Sequence, residues 1–125
     1  MSLDITPKVP SGRQIVQAYG EGGFRVTGQA FEGSVLVFLD RTQAWSGELT
    51  IDGLKAVIEL APAARPEILV VGCGPTFTLP PEELRAALKA HGVVLEWMDS
   101  AAACRTYNIL AIEERAVAAA LVAVD

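Results

Sequence analysis

The chain has 125 residues, of which 51% are hydrophobic and 20% are charged. This length and apolar content predict one domain with a single core and exclude an intrinsically disordered chain. Ten basic against fifteen acidic residues give a net charge of -5, which argues against a nucleic-acid partner. Every apolar run falls far short of the roughly 20 residues that a membrane span requires. Met1–Gln17 also lacks the pattern of a secretory or transit signal, so we expect a cytoplasmic location.

The N-terminal third contains an arm followed by short strands. Residues 1–14 carry prolines and no periodic pattern, so they are predicted to form an arm, and residues 15–125 the domain. Between Ile15 and Trp45, short runs of β-branched and aromatic residues alternate with glycines, which is typical of strands joined by tight turns. The run Val35–Leu39 is apolar at every position, which predicts a strand covered on both faces.

From Thr50 onward, the pattern predicts helices and strands in alternation. Thr50 or Asp52 is placed to cap a helix whose apolar stripe ends near Pro62. The next elements are a buried strand at Ile68–Val71, a helix from Pro80-Pro81 to His91-Gly92, a strand at Val93–Met98, and a helix that Asp99 or Ser100 caps and that runs to about Ile112.

The last segment, Ala116–Val124, is ambiguous because its alanines favour a helix while its unbroken apolar character suits a buried strand. The alternation of elements favours the strand. The fold class is therefore predicted as α/β, a compact domain with a mixed sheet. A C-terminal β-α-β-α-β unit would supply parallel strands, and an N-terminal β-hairpin region would add antiparallel ones.

Several segments together resemble a known family. They are Trp45, Leu49-Thr50, Pro66 through Gly74, Met98-Asp99-Ser100, Ala102-Ala103, Arg105-Thr106-Tyr107-Asn108 and Leu110, with Arg115 before the alanine-rich end. The chain is similar over roughly Ile15–Val124 to the domain-of-unknown-function family that includes mitochondrial complex I assembly factor 3 and the adipogenesis-associated Mth938-like domain proteins. The resemblance implies a compact α/β fold with an added β-hairpin and a C-terminal strand. It implies no established reaction.

Two positions depart from the family pattern. Cys73 stands where a threonine is usual between two glycines, which puts in doubt any role of a hydroxyl there. Glu114 stands where a glycine usually ends the last helix. Since glycine is best suited to a left-handed helix end, we expect either a different exit or strain at Glu114.

The loop Gly72–Thr76 is one candidate ligand site, with Gly72, Cys73 and Gly74 at its start. It follows a strand and precedes a helix, where backbone N–H groups can hold an anion or a pyrophosphate. Pro75 and the five residues after it separate Gly74 from the helix, unlike a dinucleotide fingerprint. Tight-turn glycines are the better account, and no cofactor is expected.

The two cysteines, Cys73 and Cys104, are expected to be free thiols. Cys104 lies in the first turns of a predicted helix beside Arg105, which could lower its pKa, but a small buried hydrophobe is the commoner role. The single histidine, His91, is not obviously close enough to act as a base. Two cysteines and one histidine also fall short of a zinc site, so no metal is expected.

Asp99, Arg105 and Asn108 complete the candidate ligand-binding residues, since they could line a cleft at the C-terminal edge of the parallel strands. For Asp99 and Asn108, capping and bonding to buried backbone groups are the commoner roles. Arg105 is the open case, because pairing with a carboxylate and ligand binding both suit it.

No residue pattern points to a catalytic site, so an enzyme is the less favoured interpretation. The family resemblance implies a binding or assembly module that assists respiratory complex I (NADH dehydrogenase), with a complex subunit or an assembly factor as its protein partner. The alternative is a small ligand-binding domain or enzyme with its site at the Gly72–Thr76 loop. The sequence leaves the oligomeric state open, a homo-oligomer included.

Overall fold

A computed structural model describes residues 12–125. The predicted arm, residues 1–14, falls mostly outside this range. Of its last residues, Gln14 is bound to the domain: its N–H donates to Leu39 O over 3.0 Å. Its carbonyl oxygen accepts a hydrogen bond from the Tyr107 hydroxyl over 2.9 Å.

The N-terminal strands form a small antiparallel sheet of their own. It consists of β1 (Val16–Gly20), β2 (Gly23–Val26) and β3 (Gln29–Glu32), in that order. Glu21-Gly22 and Thr27-Gly28 connect the strands, and all four of these residues have positive φ. Positive φ at both central residues defines the type I′ turn, whose twist matches that of the flanking strands. The region thus forms a three-stranded sheet, where the sequence predicted a hairpin added to one mixed sheet.

The main sheet is mixed and has five strands. They are β4 (Val35–Val37), β5 (Thr42–Ala44), β6 (Ile68–Gly72), β7 (Val94–Met98) and β8 (Val117–Leu121), in the spatial order β5-β4-β8-β6-β7. β6 pairs in parallel with β7 and β8, whereas β4 pairs antiparallel with β5 and β8. The predicted α/β class, the parallel C-terminal unit and the final strand are confirmed.

The helices are α1 (Lys55–Ile58), α2 (Glu82–Ala90) and α3 (Ser100–Ile112), with a short 3₁₀ turn at Pro62–Ala64. The prediction for α1 is wrong in its length and its cap. The helix is one turn long, Leu54 is its N-cap, and no side chain caps it. Thr50 Oγ1 instead accepts from Gly53 N–H over 2.9 Å, which forms a local turn ahead of the helix.

The core has two layers, one on each face of the main sheet. Along β4, Val35 and Val37 face one layer while Leu36 faces the other. The first layer contains the buried residues of α3 and the small sheet, and the second contains those of α1 and α2. Because both faces are covered, β4, β6 and β8 are apolar at successive positions. This confirms the prediction made from Val35–Leu39, although the strand itself ends at Val37.

The exit from α3 is strained at Glu114. This residue has φ 61°, in the left-handed region that a side chain with a Cβ occupies only at a cost. Of the two expected outcomes, a different exit or strain, the left-handed φ fits the second. Arg115 N–H then donates to Leu110 O over 2.9 Å, and the chain enters β8.

Candidate functional site

Helix α3 positions four of the candidate residues at its first turn. Asp99 is its N-cap, and Asp99 Oδ1 accepts from the Ala102 N–H over 2.9 Å. A carboxylate at this place satisfies a backbone donor that the helix leaves free and faces the positive end of the helix dipole. Asp99 is thus committed to a structural bond. Gly72, Cys73 and Gly74 lie against the same turn of the helix.

Two N–H groups of the Gly72–Thr76 loop, those of Cys73 and Gly74, are bonded within the protein. Cys73 N–H donates to Met98 O over 2.8 Å, and Gly74 N–H donates to Ser100 Oγ over 3.1 Å. Ser100 is fully buried, and its hydroxyl donates to Val122 O over 2.7 Å. These two backbone donors are therefore not free to hold an anion. Cys73 Sγ lies 3.4 Å from the carbonyl oxygen of Thr76.

Gly72 is required by close packing against α3. A Cβ at this position would lie 2.7 Å from Ser100 Cα and 3.1 Å from Ala103 Cβ. A glycine lets the end of β6 approach the helix at this distance. Gly72 thus has a packing role, and Gly74, with φ 121°, adopts a backbone conformation that favours glycine.

An open groove lies elsewhere, between β1 and the exposed side of α3. It has a volume of about 700 Å³ and is lined by Ile15, Val16, Gln17, Ala18, Tyr19, Cys104, Arg105, Asn108, Ile109 and Ile112. Arg105 and Asn108 are thus brought together, but apart from Gly72, Cys73, Gly74 and Asp99 at the helix start. The lining is mostly apolar with a few polar groups, as is common for binding sites.

Asn108 is bonded to the backbone of β1. Its side-chain Oδ1 accepts from Val16 N–H over 2.9 Å, and its Nδ2 donates to Val16 O over 2.8 Å. The primary amide therefore takes the place that a residue of a neighbouring strand would have. Asn108 thus hydrogen-bonds to backbone groups, which is the commoner role expected for it. The two bonds join α3 to the small sheet.

Arg105 is exposed at the rim of the groove. Among residues 12–125, the recorded salt bridge joins Arg41 to Asp40, and no hydrogen bond to the Arg105 guanidinium is recorded. Pairing with a carboxylate of the same chain is therefore not found in the described part of the protein. The guanidinium is available to a ligand that enters the groove.

Both cysteines are free thiols, as expected. Burial raises the pKa of Cys104 from 9.0 to about 12, against the smaller opposing effect of the Arg105 charge. The thiol is thus protonated at neutral pH and is a poor nucleophile. Cys104 is buried in the core, in agreement with its expected role as a small hydrophobic side chain. Burial likewise raises the pKa of Tyr107, whose hydroxyl bonds to Gln14 O.

Sequence reasoning missed the β1 side of the groove and Ile109. Ile109 is 57% exposed and Tyr19 is 45% exposed, and both line the groove. A signal existed in the pattern of α3, because Ile109 lies off the apolar stripe that Ala103, Tyr107 and Ala111 form. A large apolar side chain on the solvent side of a helix was the available clue.

Within residues 12–125, no group of three or more His, Cys, Asp and Glu side chains is placed to hold a metal ion. In the same part of the chain, no helix has both the length and the apolar character needed to cross a membrane.

Comparison with known proteins gives relatives along nearly the whole chain. NADH dehydrogenase [ubiquinone] 1 alpha subcomplex assembly factor 3 of Danio rerio is 29% identical over 125 residues, covering 97% of this chain and 71% of that protein. An outer membrane protein of Bartonella henselae has a similar crystal structure, with a TM-score of 0.83 and 34% identity, covering 91% of this chain and 98% of that one.

A Mth938-like domain of Bordetella pertussis, solved by NMR, matches with a TM-score of 0.78 and 30% identity, covering 98% of this chain and 92% of that one. The resemblance to Mth938-like proteins and complex I assembly factor 3 is thereby confirmed. The family model described as "Protein of unknown function (DUF498/DUF598)" matches residues 16–122. The chain therefore belongs to the DUF498/DUF598 family.

Proposed function

We propose that this chain is a protein-binding module that assists the assembly of a respiratory NADH dehydrogenase, and that the β1–α3 groove is its binding surface. The observation that supports this binding surface is the exposed guanidinium of Arg105, for which no ion pair is found among residues 12–125, near the exposed side chain of Ile109 in the same groove. Such a cation at the edge of an apolar groove is typical of a protein interface, where arginine and aromatic side chains often dominate the binding energy. The relative in Danio rerio, named as an assembly factor, supports the choice of partner.

The alternative, a ligand site or an enzyme at the Gly72–Thr76 loop, has less support. The Cys73 and Gly74 N–H groups already have acceptors, and Asp99 caps α3. The residues of the loop are not among those that line the β1–α3 groove. A ligand there would have to displace bonds that hold β6 to α3.

The test is affinity purification of the tagged full chain from its native cell, from detergent-solubilised and from soluble fractions. Quantitative mass spectrometry then identifies the proteins that accompany it. We expect NADH dehydrogenase subunits or their assembly factors, recovered several-fold less with Arg105→Ala. Lys89→Ala is the matched control, since Lys89 is an exposed cation on α2, on the opposite face of the main sheet. Recovery of the chain without such proteins would contradict the assembly role.

We expect the protein in the cytoplasm, and the same fractionation tests this. The related chain from Bartonella henselae is called an outer membrane protein, which makes the measurement necessary. Recovery in the outer-membrane fraction would contradict a cytoplasmic location.

A further inference from the structure

The outer edge of β1, a strand that lines the groove, carries backbone groups that point away from β2. The turn Glu21-Gly22 makes Gly20 and Gly23 a hydrogen-bonded pair, so the next pair, Tyr19 and Phe24, is non-hydrogen-bonded. The N–H and C=O of Tyr19 therefore point away from β2. The same alternation on the other side of β2 agrees, since the Thr27-Gly28 turn makes Val26 and Gln29 a hydrogen-bonded pair.

Only part of this edge is used by the protein itself. The outward groups of Val16 are bonded to the Asn108 amide. No partner from outside the strand pair is recorded for the backbone groups of Tyr19 within residues 12–125. An unpaired strand edge is a template for another strand. In this case Asn108 ends the available edge at Val16 and leaves the end at Tyr19 open.

The residues that line the groove indicate which side chains an added strand should carry. Ile109 and Tyr19 expose apolar surface next to this edge. Arg105 is the one charged residue among the ten that line the groove, although the chain as a whole has a net charge of -5. A single cation cannot hold a nucleic-acid backbone, whose binding needs several phosphate contacts. Charge complementarity therefore favours a carboxylate flanked by apolar side chains.

We propose that the β1–α3 groove binds a short extended segment of a partner protein, which adds as a strand at Tyr19, and that an acidic side chain of this segment pairs with Arg105. This deepens the proposed function and rests on it for the identity of the partner. Main-chain hydrogen bonds to Tyr19 supply affinity, as in other cases of strand addition, and Ile109 and Arg105 select the side chains.

The experiment selects random ten-residue peptides displayed on phage against the purified full chain, and then measures binding of the selected peptides as synthetic, fluorescently labelled molecules. We expect an acidic residue flanked by apolar residues. Arg105→Ala should weaken binding about tenfold, as the loss of a charge-assisted hydrogen bond does. Lys89→Ala should leave binding unchanged.

A backbone variant tests the added strand directly. Tyr19→Pro removes an N–H that points away from β2, and proline is tolerated on the outer side of an edge strand. Tyr19→Ala keeps the N–H and removes the same side chain. We expect Tyr19→Pro to bind the peptides at least several-fold more weakly than Tyr19→Ala, with circular dichroism confirming that both fold. If Tyr19→Pro fails to fold, methylation of alternate peptide nitrogens gives the same comparison on the ligand.

Other outcomes would overturn the inference. Equal binding by the two Tyr19 variants, or competition from a helical peptide, would exclude strand addition. Selected peptides without an acidic residue would exclude the pairing with Arg105. A dimer in sedimentation experiments that Arg105→Ala dissociates would make a second copy the occupant. If complex I proteins still accompany Arg105→Ala at wild-type levels, this binding mode fails while the assembly role stands. If peptides bind as expected but no such proteins are recovered, the assembly role fails.

Discussion

The side-chain amide of Asn108 forms two hydrogen bonds with the backbone of Val16, 92 residues earlier in the chain. Through this pair, α3 occupies part of the outer edge of the small sheet, at Val16. The amide is the right size to replace one peptide group of a neighbouring strand, and it carries both a donor and an acceptor. The groove next to it depends on this contact, because the contact holds β1 at the helix.

Asn108→Ala should destabilise the protein by about 1–3 kcal/mol, because it leaves the N–H and C=O of Val16 without partners. The higher helix propensity of alanine offsets roughly 0.5 kcal/mol of this loss. Urea unfolding measures the change. Arg105→Ala is the control, since an exposed side chain without a recorded partner should change stability by less than about 0.5 kcal/mol. Equal stability of Asn108→Ala and wild type would show that the two bonds contribute nothing.

Glu114→Gly should stabilise the protein by about 1 kcal/mol, because glycine adopts the left-handed conformation without the clash of a Cβ. Thermal unfolding measures the effect. Glu113 is the matched control: its φ is -78°, so Glu113→Gly removes no strain and should be neutral or destabilising. A loss of stability in Glu114→Gly would mean that the side chain of Glu114 contributes more than its backbone strain costs.

Gly72→Ala should destabilise the protein by about 2–3 kcal/mol, because the new Cβ overlaps the backbone of Ser100. Cys73→Ala, at the next position, should change stability by less than about 0.5 kcal/mol. Both are measured by chemical unfolding. If Gly72→Ala were as stable as wild type, close packing would not account for the glycine, and a ligand role for the loop would gain support.

Stability should fall as pH rises above 9, in part through Cys104. Its pKa is about 12 in the folded protein against 9.0 for an ordinary thiol, so the folded state keeps its proton where the unfolded chain loses it. This contribution is complete below pH 9 and is lost toward the folded pKa. Cys104→Ala should show a shallower loss between pH 9 and 10 in urea unfolding, before the ordinary tyrosine pKa of 10.0 is reached.

Asn108→Ala is the control for this pH dependence, because it lowers stability without removing a titratable group. Its slope between pH 9 and 10 should match the wild-type slope. Identical slopes for Cys104→Ala and wild type would show that Cys104 is not the group that titrates.

The sequence alone determined the α/β class, the parallel C-terminal unit and a cap of α3 at Asp99 or Ser100, of which the structure has Asp99. These features follow from local causes: apolar runs of strand length, prolines at the start of α2 and an aspartate before α3. The family resemblance also indicated either a different exit or strain at Glu114, because the family usually has a glycine there and glycine suits a left-handed helix end. The sequence predicted a longer α1 than the structure has. Four apolar positions at helical spacing indicate a helix, but they do not show how many of its residues can pack against the sheet.

The tertiary structure alone decided the separation of the small sheet from the main one and the location of the groove. Both depend on contacts between residues far apart in the chain, such as Asn108 with Val16, which periodicity does not encode. The same holds for the candidate residues. Gly72, Gly74 and Asp99 make structural contacts in the folded chain, whereas no ion pair of Arg105 is found among residues 12–125. The sequence specifies the chemistry of each side chain. Whether that side chain is free to bind a ligand depends on the partners that the folded chain brings to it.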